Sequence, residues 1–325
     1  MEEQSSVKLE RHIENYILPK ADEIINEVKK AVMGKDEIVK KTLLAIIAGG
    51  HILLDDIPGV GKTTLALAFS KALSLSYKRM QFTPDVLPAD VTGFNVYNKQ
   101  TGQFEYKEGA AVCSLFLADE INRTSSKTQS ALLEVMEEGA VTVDGVTRRL
   151  PAPYIVIATQ NPIGSVGTQM LPDSQLDRFI VKLSMGYPDP QSEVAILKSK
   201  SGENPVNTLR SVVTGEELCV MQKAVSLTHA DDRIYQYIAD ISNATRNCPQ
   251  LKLGLSTRGA LAVSGMAKAA AVLDGRGYVV PDDVKYIIND VAAHRVLLTA
   301  KAKATGLDAN AVIKDICTKI RPPKI

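Results

Sequence analysis

The apolar positions of the chain change period several times, and each change marks an element. From Leu9 through Ile13, Ile17, Ile24, Ile25 and Val28 to Val32 they recur every three or four residues, which traces one face of a helix. Pro19 breaks that run, so two short amphipathic helices are expected. Asp36 to Ile47 is again helical in spacing. His51-Ile52-Leu53-Leu54 is a compact apolar run leading into Asp55-Asp56-Ile57-Pro58-Gly59, which reads as a buried strand and a tight loop. Helix returns from Thr63 to Leu75. Cys113 to Ala118 and Tyr154 to Ala158 are two more buried-strand runs. Ser125 to Glu138 lies between them as a helix with Leu132, Leu133, Val135 and Met136 turned inward. Two segments alternate polar and apolar about a turn: Phe94 to Tyr106 about Gln100-Thr101-Gly102, and Val141 to Leu150 about Asp144-Gly145. Both predict hairpins, the second with the strongest turn dipeptide in the chain.

Strands alternating with helices predict a parallel sheet covered on both faces. Beyond Pro188-Asp189-Pro190 the strand-like runs stop. Thr214-Gly215-Glu216-Glu217 has capping-box form, and Ser256 and Pro281-Asp282-Asp283 are further helix starts. The expected fold is α/β: an N-terminal helical extension (1–30), an αβα sandwich with a parallel sheet (31–188) and an all-α lid (189–325). The 325 residues suffice for two cores, and 45% hydrophobic with 23% charged residues is an ordinary globular balance. A formal net charge of +1, with no long single-sign run, argues against a polyanion-binding surface and so against a nucleic-acid motor. Cys113, Cys219, Cys248 and Cys317 form no C-x-x-C pair, so neither a metal cluster nor a disulfide framework is expected. The acidic start Met1-Glu2-Glu3-Gln4 is no signal sequence, and the most apolar stretch, Thr42 to Leu54, is too short to span a bilayer. A cytoplasmic protein without membrane insertion is the expectation.

The chemistry begins in the loop after the first strand. Pro58-Gly59-Val60-Gly61-Lys62-Thr63-Thr64 is the second half of a P-loop. Polyphosphate binding needs glycines that let the main chain approach, a helix N-terminus, a lysine for the phosphate oxygens and a hydroxyl for Mg²⁺. One departure stands out: the usual pattern has glycine where Asp56 stands. That position lies where the strand leaves the sheet, so the phosphate cradle is expected to survive. Leu115 to Ala118 is an apolar strand ending in Asp119-Glu120, placed so that the first carboxylate holds Mg²⁺ and the second polarises the attacking water. The third strand ends in Ala158-Thr159-Gln160-Asn161-Pro162, where an Asn or Thr beside those carboxylates can bond the water or the γ-phosphate.

A P-loop followed in order by Asp119-Glu120-Ile121-Asn122-Arg123, Gln160-Asn161-Pro162, Leu176-Asp177-Arg178-Phe179 and Gly254-Leu255-Ser256-Thr257-Arg258 resembles the MoxR family of AAA+ ATPases, in the branch with magnesium-chelatase I subunits. Gly50-His51-Ile52-Leu53-Leu54, Gln81-Phe82-Thr83-Pro84-Asp85 and the Asp144-Gly145 hairpin support the likeness, which runs from about residue 30 to the end. The resemblance implies ATP and Mg²⁺ bound by Gly59, Gly61, Lys62 and Thr63, with Asp119 a further Mg²⁺ ligand and Glu120 the base. It implies Asn161 as sensor 1, Arg258 as sensor 2 reporting the γ-phosphate to the lid, and Arg178 as an arginine finger, with Arg123 competing for that role. Val32-Met33-Gly34 resembles the segment that touches adenine. A ring, most simply a hexamer, follows from an arginine supplied in trans. The implied activity is chaperone-like remodelling of a separate polypeptide, often one with a von Willebrand factor A-type domain. Two alternatives are a magnesium-chelatase-like subunit and a nucleotide-dependent assembly switch with little turnover. His51, His229 and His294 lack partners at ligand spacing and read as packing or surface residues. Tyr97, Phe104 and Tyr106 on the first hairpin could face a substrate in a pore, but packing against the sheet is the expected role.

Overall fold

The computed structural model describes residues 8–161, 171–199 and 205–324. Ile52–Asp55 (β1), Tyr77–Gln81 (β2), Leu115–Asp119 (β3), Ile155–Gln160 (β4) and Val181–Leu183 (β5) form one sheet in the order β2-β3-β4-β1-β5, with every neighbouring pair parallel. Its apolar side chains divide by strand period. Ile52, Leu54, Leu115, Leu117, Ile155 and Ile157 pack on the helices Asp36–Ile47 and Lys62–Ala72, while Leu53, Phe116, Ala118, Val156 and Ala158 pack on Leu132, Leu133 and Met136 of the helix Ser126–Glu138. A strand buried on both faces has no polar alternation, which is why β1, β3 and β4 read as continuous apolar runs. The edge strands β2 and β5 were not expected. Tyr77-Lys78-Arg79-Met80-Gln81 is half-exposed, and β5 is three residues long.

Register places the functional loops together. Asp55 pairs with Gln160 and Ala118 with Ala158, so β1, β3 and β4 finish nearly level at their carboxyl ends. With β4 between β1 and β3, the loops after all three open on one crevice.

The N-terminal segment differs from expectation. Residues 8–12, a π-helical turn Ile13–Ile17 and the helix Leu18–Lys29 make one continuous helical run. Pro19 sits in the first turn of the last piece, where its missing N–H costs least, and the wider turn before it absorbs the ring. Ile13, Ile17, Ile24 and Val28 are buried, and the run packs on Asp36–Ile47, Lys62–Ala72 and Thr257–Leu273. Tyr16 donates to Glu217 at 2.7 Å, and Glu27 accepts the Arg210 N–H at 2.8 Å.

Both hairpins form. Ala140–Val143 and Val146–Arg149 turn through Asp144 (φ +50°) and Gly145 (φ +78°), as the dipeptide requires. Gly93–Asn98 and Gln103–Glu108 pair only with each other, not with the central sheet. Tyr97 and Phe104 therefore stay outside, packed edge-on to each other at 5.4 Å with Phe104 72% exposed, which overturns their expected packing against the sheet. Tyr106 does pack on the apolar cluster of that sheet face, and lies under Arg148 of the second hairpin.

After β5 the chain is helical, with one correction to the all-α expectation: Leu251–Leu253 and Leu297–Leu298 form a short antiparallel pair. Thr214 and Glu217 make both bonds of the capping box, and Ser256 accepts the Gly259 N–H at 2.9 Å to start the helix Thr257–Leu273. Among the described residues no helix is long and apolar enough to cross a membrane.

Candidate active site

After β1 the chain turns through Gly59 (φ +87°) and Gly61 (φ +99°) into the helix Lys62–Ala72. Both angles are strained for any residue with a Cβ, and they bring the loop over a helix N-terminus whose free N–H groups and dipole favour an anion. Thr63 and Thr64 lie in the first turn. Lys62 is only 7% exposed, and its Nζ donates to the Asp56 carbonyl at 2.5 Å. Burial pushes its pKa down, and the negative charges of Asp56, Asp119, Asp55 and Glu120 oppose that shift. The four carboxylates thus share one neighbourhood with the ammonium.

Asp119, at the end of β3, is equally buried. Its Oδ1 accepts from Thr159 Oγ1 at 2.5 Å, and its Oδ2 accepts from Arg79 at 2.7 and 3.2 Å. The Thr159 hydroxyl oxygen also accepts the Glu120 N–H at 2.9 Å, so one side chain on β4 sets both acidic residues. Glu120 has left-handed backbone (φ +57°), a conformation costing about 1 kcal/mol or more and held here by that bond. Its Oε2 accepts from Arg123 Nη1 at 2.7 Å. Arg123, considered as a competing finger, is therefore engaged with its own chain's Glu120. Asn161 follows β4, and the Asn122 side chain bonds its main-chain oxygen at 3.2 Å and N–H at 3.4 Å, placing it beside the carboxylate loop. Pro162 of the same motif lies outside the described residues.

Beside the phosphate loop is a cavity of about 670 Å³, within the range that takes a nucleotide. Gly59, Val60, Gly61 and Thr64 line one part, Val32 and Met33 another, and Met185, Tyr187 and Pro188 a third. Gly34 (φ +68°) supports that wall from behind, since a Cβ there would meet Ser192 Oγ at 2.1 Å. Pro58 stays in the turn of the loop and does not line the cavity.

Arg178 and Arg258 lie elsewhere. Arg178 Nη2 is 3.1 Å from one oxygen of Glu137, and Arg258 bonds the other oxygen of the same carboxylate. Their pocket is lined by Gly50 and His51, which precede β1, and so belongs to the amino end of the sheet. Arg258 is held at this end by Glu137, away from the phosphate loop of its own chain. The cause is the docking of the lid helix: Ser256 bonds Asp177 Oδ2 at 2.9 Å and Arg295 bonds Asp177 Oδ1 at 2.8 Å, fixing the start of that helix beside Arg178. His51 is held neutral here, its Nδ1 accepting the Val156 N–H at 3.0 Å and its Nε2 facing the Met136 carbonyl at 2.9 Å.

Sequence reasoning missed Arg79 and assigned Thr159 no definite role. Arg79 sits on an edge strand too polar to be recognised. Thr159 became visible only when register set it beside Asp119.

Among the described residues there is no cluster of three or more His, Cys, Asp or Glu side chains able to hold a metal. Nucleotide-bound Mg²⁺ needs no such cage: one carboxylate and one hydroxyl suffice beside phosphate and water oxygens. Asp119 and Thr63 are hard oxygen donors of that kind, and Mg²⁺ fits the residues present.

Comparison with known proteins agrees with this geometry. The family model described as "ATPase family associated with various cellular activities (AAA)" matches residues 51–181, and an AAA lid domain matches residues 243–316. The protein is thus an AAA+ ATPase, an enzyme that hydrolyses ATP. An uncharacterised Bacillus subtilis protein, YeaC, is 46% identical over 94% of this chain and 95% of its own length. Chaperone MoxR1 of Mycobacterium tuberculosis is 36% identical over 93% of this chain and 82% of its own. A crystal structure from Cytophaga hutchinsonii, assigned as an ATPase, superposes over all of both chains with a TM-score of 0.89 at 34% identity. The chain belongs to the MoxR family.

Proposed function

We propose that this AAA+ ATPase is a ring-forming, chaperone-like machine, most simply a hexamer, that remodels or matures a separate cytoplasmic protein carrying a von Willebrand factor A-type domain. The choice of client rests on the MoxR resemblance. The ring rests on one observation: the phosphate loop and the Arg178–Glu137–Arg258 cluster occupy opposite ends of the same sheet. Two arginines that cannot serve their own nucleotide have a use if a neighbouring subunit's nucleotide comes to them. Residues 31–188 would be the nucleotide-binding domain, 189–325 the lid and 1–30 an extension.

In this reading Lys62 exchanges the Asp56 carbonyl for phosphate oxygens, alongside the N–H groups of the helix start. Thr63 and Asp119 would hold Mg²⁺, which would supply positive charge against the negative phosphates. Glu120 takes the proton of the attacking water, and Asn161 orients that water. Arg178 and Arg258 leave Glu137 to meet the γ-phosphate bound by the next subunit.

Glu120→Gln tests the machine as a whole. The variant should bind ATP while losing turnover on the order of 10²-fold, and should retain the client when used as bait. Wild-type turnover in Glu120→Gln would remove the base assignment, and a trapped client without the expected domain would overturn that part.

A further inference from the structure

Asp56 occupies the place of a P-loop glycine, and the hydrolytic reading makes no use of its carboxylate. Its main chain serves the phosphate loop: the N–H donates to Gln160 at 3.3 Å and the carbonyl accepts from Lys62. Its side chain serves a different segment. Oδ2 accepts from the main-chain N–H of Met185, from that of Gly186 at 2.9 Å and from Ser184 Oγ at 3.1 Å. Those three residues follow β5 and lead through Tyr187, Pro188 and Asp189 into the helix Pro190–Ser199. Gly186 (φ +60°) makes the turn between them. Met185, Tyr187 and Pro188 line the same cavity as the phosphate loop, and Tyr187 is 77% exposed. Met185 Cε also lies 3.7 Å from where a Cβ on Gly61 would stand. One buried residue therefore joins the phosphate loop to a second segment that lines the same cavity.

We propose that Asp56 is a positioning residue: its carboxylate holds the Ser184–Gly186 hinge in register with the phosphate loop, so that the Met185–Pro188 part of the cavity, set against the nucleoside, and the phosphate cradle meet the nucleotide at one fixed spacing. The inference rests on the nucleotide reading above. Asp56 has no left-handed backbone, so glycine at this position leaves the course of the loop unchanged. It would leave two hinge N–H groups without their acceptor, and that part of the cavity would drift.

Calorimetry on the full chain with two probes separates the possibilities. Mg²⁺–ATP needs both parts of the cavity, while inorganic tripolyphosphate needs only the phosphate loop. Asp56→Gly should weaken ATP by about tenfold and leave tripolyphosphate within about twofold. Asp56→Asn, whose amide oxygen accepts the same N–H groups, should restore most of the ATP affinity. Equal loss of both probes would make Asp56 part of the cradle and overturn the proposal, as would unchanged ATP affinity in Asp56→Gly. Lys62→Ala is the control for the underlying reading: it should lose both probes, and binding of both would place the nucleotide elsewhere. Should Asp56→Gly fail to fold, Ser184→Ala removes one donor from the hinge side. A loss of about threefold confined to ATP supports the coupling, and an equal response of the two probes, or none, overturns it.

Discussion

The two ends of the central sheet carry similar charges but are built differently. At the carboxyl end Lys62, Asp119 and Glu120 are interlocked through Thr159, Arg79, Arg123 and the Asp56 carbonyl, within a short reach of the phosphate loop. At the amino end Arg178 and Arg258 converge on the single carboxylate of Glu137, 30% and 47% exposed, with no phosphate-binding loop beside them. On the function proposed above, the first end would be the ATP site, and the second a pair of cations that trade Glu137 for a neighbour's phosphate. On that reading each chain would carry halves of two different sites, one at either end of its sheet.

Lys62→Ala gives the largest effect, striking the first end alone: ATP affinity should fall by at least on the order of 10²-fold and turnover should vanish, as read by calorimetry and phosphate release. Arg178→Ala strikes the second end. Binding should persist while turnover drops by about 10³-fold, and mixing it with Lys62→Ala subunits should restore activity neither has alone. If the mixture stays inactive although both variants assemble, the two-halves reading fails. Thr159→Val gives a smaller change, removing the hydroxyl that orients Asp119 and Glu120. The Mg²⁺ concentration for half-maximal activity should rise about tenfold; an unchanged value would deny Thr159 its positioning role. The smallest effect belongs to the amino end. Burial, and then the neighbouring Arg295 charge, push His294 well below its ordinary pKa, so the fold holds it neutral. The unfolded chain gains that proton below about pH 6.5. Stability is therefore full above that value and falls as pH drops, by up to about 1.4 kcal/mol per unit. Urea midpoints at pH 7.5 and 5.5 should differ less in His294→Asn than in the wild type, and an equal difference would remove His294 from the acid response.

Legibility in the sequence followed burial. β1, β3 and β4, covered on both faces, announced themselves as apolar runs, and the charged residues at their ends came with them. The edge strands, Tyr77–Gln81 and Val181–Leu183, have sheet neighbours on one side only and carry Lys78, Arg79 and Lys182. Their chemistry stayed hidden with them: Arg79 gave no sign that it bonds Asp119, nor did the turn after β5 show that it rests on Asp56. Arg258 was legible as a residue type at a helix start. Its partner Glu137, 121 positions away, was not, because only the docked lid brings the two together.

The N-terminal helical run gives the helices after β5 an attachment separate from the one at Asp177. The covalent link passes through Ser184–Asp189, and the helical run lies against the sheet's helices while Tyr16 grips Glu217 and Glu27 grips the Arg210 N–H. Together with the Asp177 bonds to Ser256 and Arg295, these contacts remove ways in which the helical part could swing against the sheet. Residues outside the span matched by the ATPase family model thus restrain the helical part as the docked helices do.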